Sequence, residues 1–118
     1  MLFLEAEKYE MLYGKDVDLF INIASMQEMN PGVIKTYFDI IRSGNGKRFF
    51  YACNREKKVM PDGTTVCFDT YPWDLKNDEI VFDEPCPFYK RHPISTPPFW
   101  QNFNSITKHR LARMGRKV

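Results

Sequence analysis

Two short polar runs, Ser25-Met26-Gln27-Glu28 and Asn54-Arg55-Glu56-Lys57, hold the residues best suited to chemistry in this chain. Glu28 is a carboxylate able to accept a proton, and its place three residues after Ser25 equally fits a capping box on a short helical turn. Arg55 suits a phosphate, or an ordinary surface ion pair with a carboxylate, while Asn54 and Glu56 can bond hydroxyls. His109 carries a side chain that titrates near neutral pH, although a surface histidine is the plainer reading of its basic surroundings. Asp69, Asp74 and Asp78 are spaced for either a divalent cation or a solvated acidic loop, and the loop is favoured.

The elements that must position these groups follow from apolar patterning. Val17 opens a segment in which Leu19-Phe20-Ile21 and Ile23-Ala24 are interrupted only by Asn22, the signature of a strand buried on both faces. Asn22 in such a strand must find hydrogen-bond partners. Asn30-Pro31 supplies a helix N-cap with proline at the first helical position. Val33, Ile34, Tyr37, Phe38, Ile40 and Ile41 then recur at helical spacing, up to the stop and turn at Gly44 and Asn45-Gly46. Arg48–Cys53 reads as a second buried strand. Strand, helix and strand make a βαβ unit with parallel strands. Both polar runs therefore end at one edge of the sheet, where open α/β sheets bind ligands.

The second half is less regular. Pro61-Asp62-Gly63 between Val59-Met60 and Thr65-Val66-Cys67-Phe68 predicts a hairpin. Ile80-Val81-Phe82 is a candidate short edge strand. Residues 84–104 hold five prolines and read as a loop, whose Phe88, Tyr89, Phe99 and Trp100 point to an ordered cover over the fold. Ile106–Met114 fits a strand or a basic helix.

Composition bounds the class. The 118 residues allow one domain, and 43% hydrophobic with 15% aromatic residues excludes a wholly disordered chain. The net charge of +2 hides an asymmetry. Residues 1–107 hold 12 Lys/Arg against 15 Asp/Glu, and residues 108–118 hold five cations and no acid. The acidic body argues against a nucleic-acid binder, and the basic tail at 115–118 is expected to be solvated and frayed. Cys53, Cys67 and Cys86 form no CxxC pair, so reduced, mostly buried thiols in a cytoplasmic protein are expected, with no structural metal. No apolar run approaches the ~20 residues of a membrane span.

Several stretches, in order, resemble the sugar O-methyltransferase family, class I enzymes of polysaccharide biosynthesis. They are Asp18-Leu19-Phe20-Ile21-Asn22-Ile23-Ala24-Ser25-Met26-Gln27-Glu28-Met29-Asn30, Tyr37-Phe38-Asp39, Phe50-Tyr51-Ala52-Cys53-Asn54-Arg55-Glu56, Pro61-Asp62-Gly63, Tyr71-Pro72-Trp73 and His109-Arg110-Leu111-Ala112. The resemblance implies a partial Rossmann-like methyltransferase sheet: a βαβ unit, a hairpin and an antiparallel carboxyl-terminal strand. Val17–Ala24 would be the fourth of seven strands, Arg48–Cys53 the fifth, and His109–Met114 a late antiparallel strand.

The same resemblance implies S-adenosylmethionine as cofactor and a sugar or nucleotide-sugar as substrate. Ala24, Ser25 and Gln27 would touch the cofactor, and Glu28 and His109 would be the candidate bases. Asn54, Arg55 and Glu56 would bind the sugar, with Tyr71 and Trp73 as an aromatic platform, unless the two rings are core. None of the six glycines forms a GxGxG loop after a strand, so the amino-terminal cofactor half is expected to be missing. An upstream segment, a second chain or a second copy would complete the sheet. The alternative is a non-enzymatic fragment that binds a partner chain or a carbohydrate.

Overall fold

The computed structural model describes residues 3–89, 91–102 and 105–116. A 3-10 segment, Ala6–Leu12, precedes strand β1, Leu19–Ile23. A 3-10 turn, Met26–Glu28, leads into helix α1, Pro31–Arg42, and then strand β2, Phe49–Arg55. Strands β3, Lys57–Val59, and β4, Thr65–Cys67, form a hairpin around the expected Pro61-Asp62-Gly63 turn. After them come β5, Glu79–Pro85, β6, Arg91–Pro93, β7, Trp100–Asn102, and β8, Thr107–Arg113.

The main sheet has the order β1-β2-β8-β5. Strands β1 and β2 are parallel, and β8 runs antiparallel to both of its neighbours, β2 and β5. The βαβ unit is therefore present, with the start of α1 capped as its sequence dictates: Asn30 Oδ1 accepts from the Val33 amide at 3.0 Å. Ile34, Phe38 and Ile41 of α1 bury their side chains against Phe50, Ala52 and Ala112 of the sheet. Phe68, Tyr71 and Trp73 close the same core, with Phe38 meeting Phe50 edge-on at 5.5 Å and Trp73 edge-on at 5.0 Å.

Strand β1 is not buried on both faces. Phe20 packs on the core, but Leu19, Ile21 and Ile23 are 48%, 61% and 49% exposed. An apolar run marks a strand that favours burial on both sides, yet among the described residues helix α1 covers one face only. β1 also stands at the end of the sheet, so among the described residues no strand pairs with its outer edge, and the β3–β4 hairpin forms a separate sheet.

The basic segment at 107–113 is a strand and not a helix. It is the strand between β2 and β5, and its cations meet the acids of the body. Arg110 Nη2 donates to Asp69 Oδ1 at 2.9 Å and to Asp83 Oδ2 at 2.8 Å, and Lys108 pairs with the same two carboxylates. Two of the five cations of residues 108–118, Lys108 and Arg110, are thus paired with acids distant in sequence. Lys117 and Val118, the end of the expected basic tail, lie outside the described residues.

The stretch 84–104 is more regular than a loop. Its start extends β5, and β6 pairs with β7 in a separate ribbon. Phe88, Phe99 and Trp100 do not act as a cover, being 82%, 55% and 58% exposed. The ribbon pairs only with itself, so its rings gain no sheet face to lie on.

Candidate functional site

The carboxyl ends of β1 and β2 do come together, through side chains that bind one another. Ala24 leaves β1 with a φ of 56°, a left-handed conformation that costs a non-glycine residue about 1–2 kcal/mol. Its amide still donates to Cys53 O at 2.8 Å. The reversal turns Ser25 back over Asn22, whose Nδ2 donates to Ser25 Oγ at 2.6 Å. Asn22 Oδ1 accepts from the Met26 amide at 3.1 Å and from Asn54 Nδ2 at 3.1 Å. Asn54 Oδ1 accepts from the Gln27 amide at 3.2 Å, and Gln27 Oε1 accepts from the Arg55 amide at 2.8 Å. Asn54 is fully buried and Gln27 nearly so. The partners that Asn22 requires are therefore found within this network, which ties the two strand ends to the turn before α1.

Glu28 is exposed at the rim of this network. The expected capping box is absent, since Ser25 makes no side-chain cap and its hydroxyl is taken by Asn22. Glu28 Oε1 instead accepts from Lys58 Nζ at 2.6 Å, reaching across to the hairpin. That bond, aided by the charge of Arg55, holds the Glu28 carboxyl below its ordinary range. Such a carboxylate is ionised at neutral pH but is a weak proton acceptor until Lys58 withdraws. Among the described residues no ion pair holds Arg55 or Glu56.

His109 lies two strands from β1, on the opposite sheet face from α1. The registers align Ile23, Cys53, His109 and Glu84 in one row, and Ile21, Tyr51, Leu111 and Phe82 in the next. His109 is 7% exposed, so it is not the surface histidine its basic neighbours suggest. Its Nε2 meets Glu84 Oε1 at 3.0 Å and its Nδ1 meets Tyr51 Oη at 3.1 Å. A neutral ring satisfies both contacts when Nε2–H donates to Glu84 and Nδ1 accepts from the Tyr51 hydroxyl. Burial pushes the Tyr51 phenol up to about 12, and it pushes the Cys53 thiol beside it to about 12 as well. Glu84, His109 and Tyr51 form a relay that the sequence conceals. Only cross-strand pairing brings residues 51, 84 and 109 together, and sheet register has no local signal.

Tyr71 and Trp73 belong to the core and offer no open platform. Tyr71 is buried, with its hydroxyl unpaired among the described residues. Trp73 Nε1 donates to Phe68 O at 2.9 Å, its ring lies nearly parallel to Phe50 at 5.7 Å, and the Arg110 guanidinium sits 4.7 Å from its centroid. Asp78 is likewise structural. It takes a two-pronged bond from Arg42, at 2.6 and 2.7 Å, and accepts from the Gly115 and Asp74 amides. No group of three or more metal-ligating side chains occurs among the described residues.

S-adenosylmethionine at this edge would need free polar groups and a close backbone approach. The side chains of Asn22 and Asn54 are bonded to one another, to Ser25 Oγ and to the Met26 and Gln27 amides, and Gln27 Oε1 is taken by the Arg55 amide. Residues 24–30 after β1 and residue 56 after β2 include no glycine. These residues alone do not fit the cofactor.

Compared with family models, with curated proteins and with solved structures, the chain matches none of them. No helix among the described residues is long and apolar enough to cross a membrane.

Proposed function

We propose that this chain is the carboxyl-terminal half of an S-adenosylmethionine-dependent O-methyltransferase acting on a sugar hydroxyl, competent when further strands continue its sheet through the open edge of β1. One observation carries the reading: β1 and β2 are parallel, and β8 runs antiparallel beside β2. This order agrees with the fourth, fifth and late antiparallel strands of a seven-stranded methyltransferase sheet. The bare edge of β1 and its exposed Leu19, Ile21 and Ile23 support the same reading, because that is where the missing strands and their helices would lie.

A sugar hydroxyl is a weak acid, so the reaction calls for a proton acceptor. Glu28 is that group in this proposal, at the ligand-binding edge and released when substrate displaces Lys58. Arg55 and Glu56 beside it, with no ion pair among the described residues, hold the sugar or its nucleotide phosphate. His109 stands in the sheet behind, held by Glu84 and Tyr51.

A second reading, a non-enzymatic module that binds a partner chain or a carbohydrate, is favoured by the closed Asn22–Ser25–Gln27–Asn54 network. Calorimetry with S-adenosylmethionine tests the first reading. No binding is expected from these 118 residues alone. Binding, and label transfer from the cofactor to a sugar acceptor, is expected once the sheet is completed by an adjoining segment or a second chain. Micromolar binding by the isolated chain overturns the half-site reading. Binding of sugar by a completed assembly that transfers no methyl group favours the second.

A further inference from the structure

The cations of this chain are not all treated alike. Lys35 pairs with Asp39, Arg42 with Asp78, Lys58 with Glu28, and Lys108 and Arg110 with Asp69 and Asp83. At the opposite edge of the sheet from Glu28, four more cations gather with little compensation. There the turn after α1, the start of β2 and the end of β8 surround an open polar hollow of about 270 Å³, lined among others by Asn45, Gly46, Lys47, Arg48, Arg113 and Arg116.

The bonding in this hollow leaves its positive charge largely without carboxylate partners among the described residues. Arg48 is buried, and its guanidinium donates only to carbonyls: to Gly46 O at 3.1 and 2.7 Å and to Arg42 O at 2.8 Å. Arg116 Nη2 donates to a neutral amide oxygen, Asn45 Oδ1, at 2.6 Å. Lys47 is exposed and has no carboxylate partner among the described residues. Among the described residues Arg113 pairs with Glu79 alone, at 3.7 Å, and both side chains are exposed. The one acid turned toward the turn, Asp16, already accepts from the Asn45 and Gly46 amides at 2.9 and 3.2 Å. Among the described residues, Asp16 and Glu79 are the carboxylates set against Lys47, Arg48, Arg113 and Arg116.

The frame that presents these cations is rigid. Arg113 and Arg116 flank Gly115, whose amide donates to Asp78 Oδ1 at 2.8 Å and whose carbonyl accepts from Arg42 Nη1 at 3.0 Å. A Cβ at Gly115 would stand 2.8 Å from Asn77 Cβ and 2.9 Å from Asn77 O, so the close approach that aims both arginines requires glycine. Cations held in place and left unpaired lose little entropy on meeting an anion. Guanidinium groups match phosphate oxygens two at a time.

We infer that this hollow binds the diphosphate group of a small molecule, at a site separate from the Glu28 edge. Its volume lies near the lower end of ligand pockets, about 300 Å³, which suits a diphosphate better than a larger organic ligand.

The test uses inorganic pyrophosphate and the full chain. Titration followed by backbone amide resonances is expected to shift Asn45–Arg48 and Arg113–Arg116 together. The double variant Lys47→Gln, Arg116→Gln alters two solvent-facing side chains, so it keeps its fold, and it is expected to weaken binding at least tenfold. A control variant elsewhere, Lys57→Gln with Lys76→Gln, leaves binding unchanged. Shifts spread over all basic surfaces, or undiminished binding by the double variant, overturn the inference. Equal affinity for sulfate also overturns it, since that marks a general ion atmosphere. An oligonucleotide that binds tenfold more tightly than pyrophosphate and is lost in the same double variant overturns it in favour of a polyanion surface. Cofactor and sugar are absent throughout, so the outcome is independent of the methyltransferase reading.

Discussion

Asn54 Nδ2 donates to Asn22 Oδ1 at 3.1 Å, joining the middle of β1 to the end of β2 beneath the turn that carries Gln27 and Glu28. The carboxamide of Asn54 also accepts the Gln27 amide, and no part of the residue reaches solvent. Replacing Asn54 by alanine leaves Asn22 Oδ1 short of a donor and the Gln27 amide without an acceptor. Each unpaired buried group costs about 1–3 kcal/mol, so the variant is expected to lose about 2–4 kcal/mol in urea unfolding. An unchanged midpoint would mean that the network does not hold the strand ends.

The Arg42–Asp78 pair predicts acid sensitivity. Burial raises the Asp78 carboxyl, but the Arg42 side-chain bond and the Asp74 and Gly115 amides outweigh it and hold the group below its ordinary 3.8. A depressed folded value stabilises the fold above the ordinary value, and that contribution is lost as pH falls below 3.8. Asp78→Ala is expected to cost about 3–5 kcal/mol at neutral pH, because Arg42 is left buried and unpaired. The variant should also show a flatter decline of stability in acid, measured by denaturant titration across pH.

Tyr51 predicts a response at the other end of the scale. Its phenol is raised from an ordinary 10 to about 12, so the folded state disfavours the phenolate. The stability this gives is complete below pH 10 and is lost as pH rises through about 12. Tyr51→Phe removes that dependence and the bond to His109, at a cost of about 1 kcal/mol. Absorbance of tyrosinate, followed with unfolding, checks both.

Glu28→Gln separates structure from chemistry. The carboxylate is exposed and its bond to Lys58 lies at the surface, so the unfolding midpoint should stay where it is. If Glu28 accepts the substrate proton, the completed methyltransferase should fall ~10²–10⁴-fold in kcat. Lys58→Ala, which frees the carboxylate, should shift the pH profile of the same activity upward.

The open edge of β1 predicts self-association. Leu19, Ile21 and Ile23 are exposed beside unpaired backbone groups, a template for another strand. Light scattering on the eluting chain should show more than a monomer. Ile21→Lys, which places a charge on that face, should return it to monomer with unchanged circular dichroism. A strictly monomeric native chain refutes the expectation.

Much of the βαβ unit was legible in the residues alone. Asn30-Pro31 and the helical spacing from Val33 to Ile41 marked α1, and Pro61-Asp62-Gly63 marked the β3–β4 hairpin, because caps, periodicity and turns are local. The adjacency of the two polar runs also followed, since parallel strands joined by one helix end at the same edge. What those runs do to each other did not follow. Gln27 and Asn54 read as ligand groups and are buried partners, and the Ser25 hydroxyl accepts from the Asn22 side chain instead of capping the turn at Glu28. The basic segment at 107–113 had no local mark of a central strand; its place between β2 and β5 rests on Asp69 and Asp83, distant in sequence. The Glu84–His109–Tyr51 relay and the cationic hollow around Arg116 likewise exist only after pairing. Sequence set the elements through short-range geometry, and the tertiary structure chose which polar groups meet, because burial leaves each donor, acceptor and charge in need of a partner that only folding supplies.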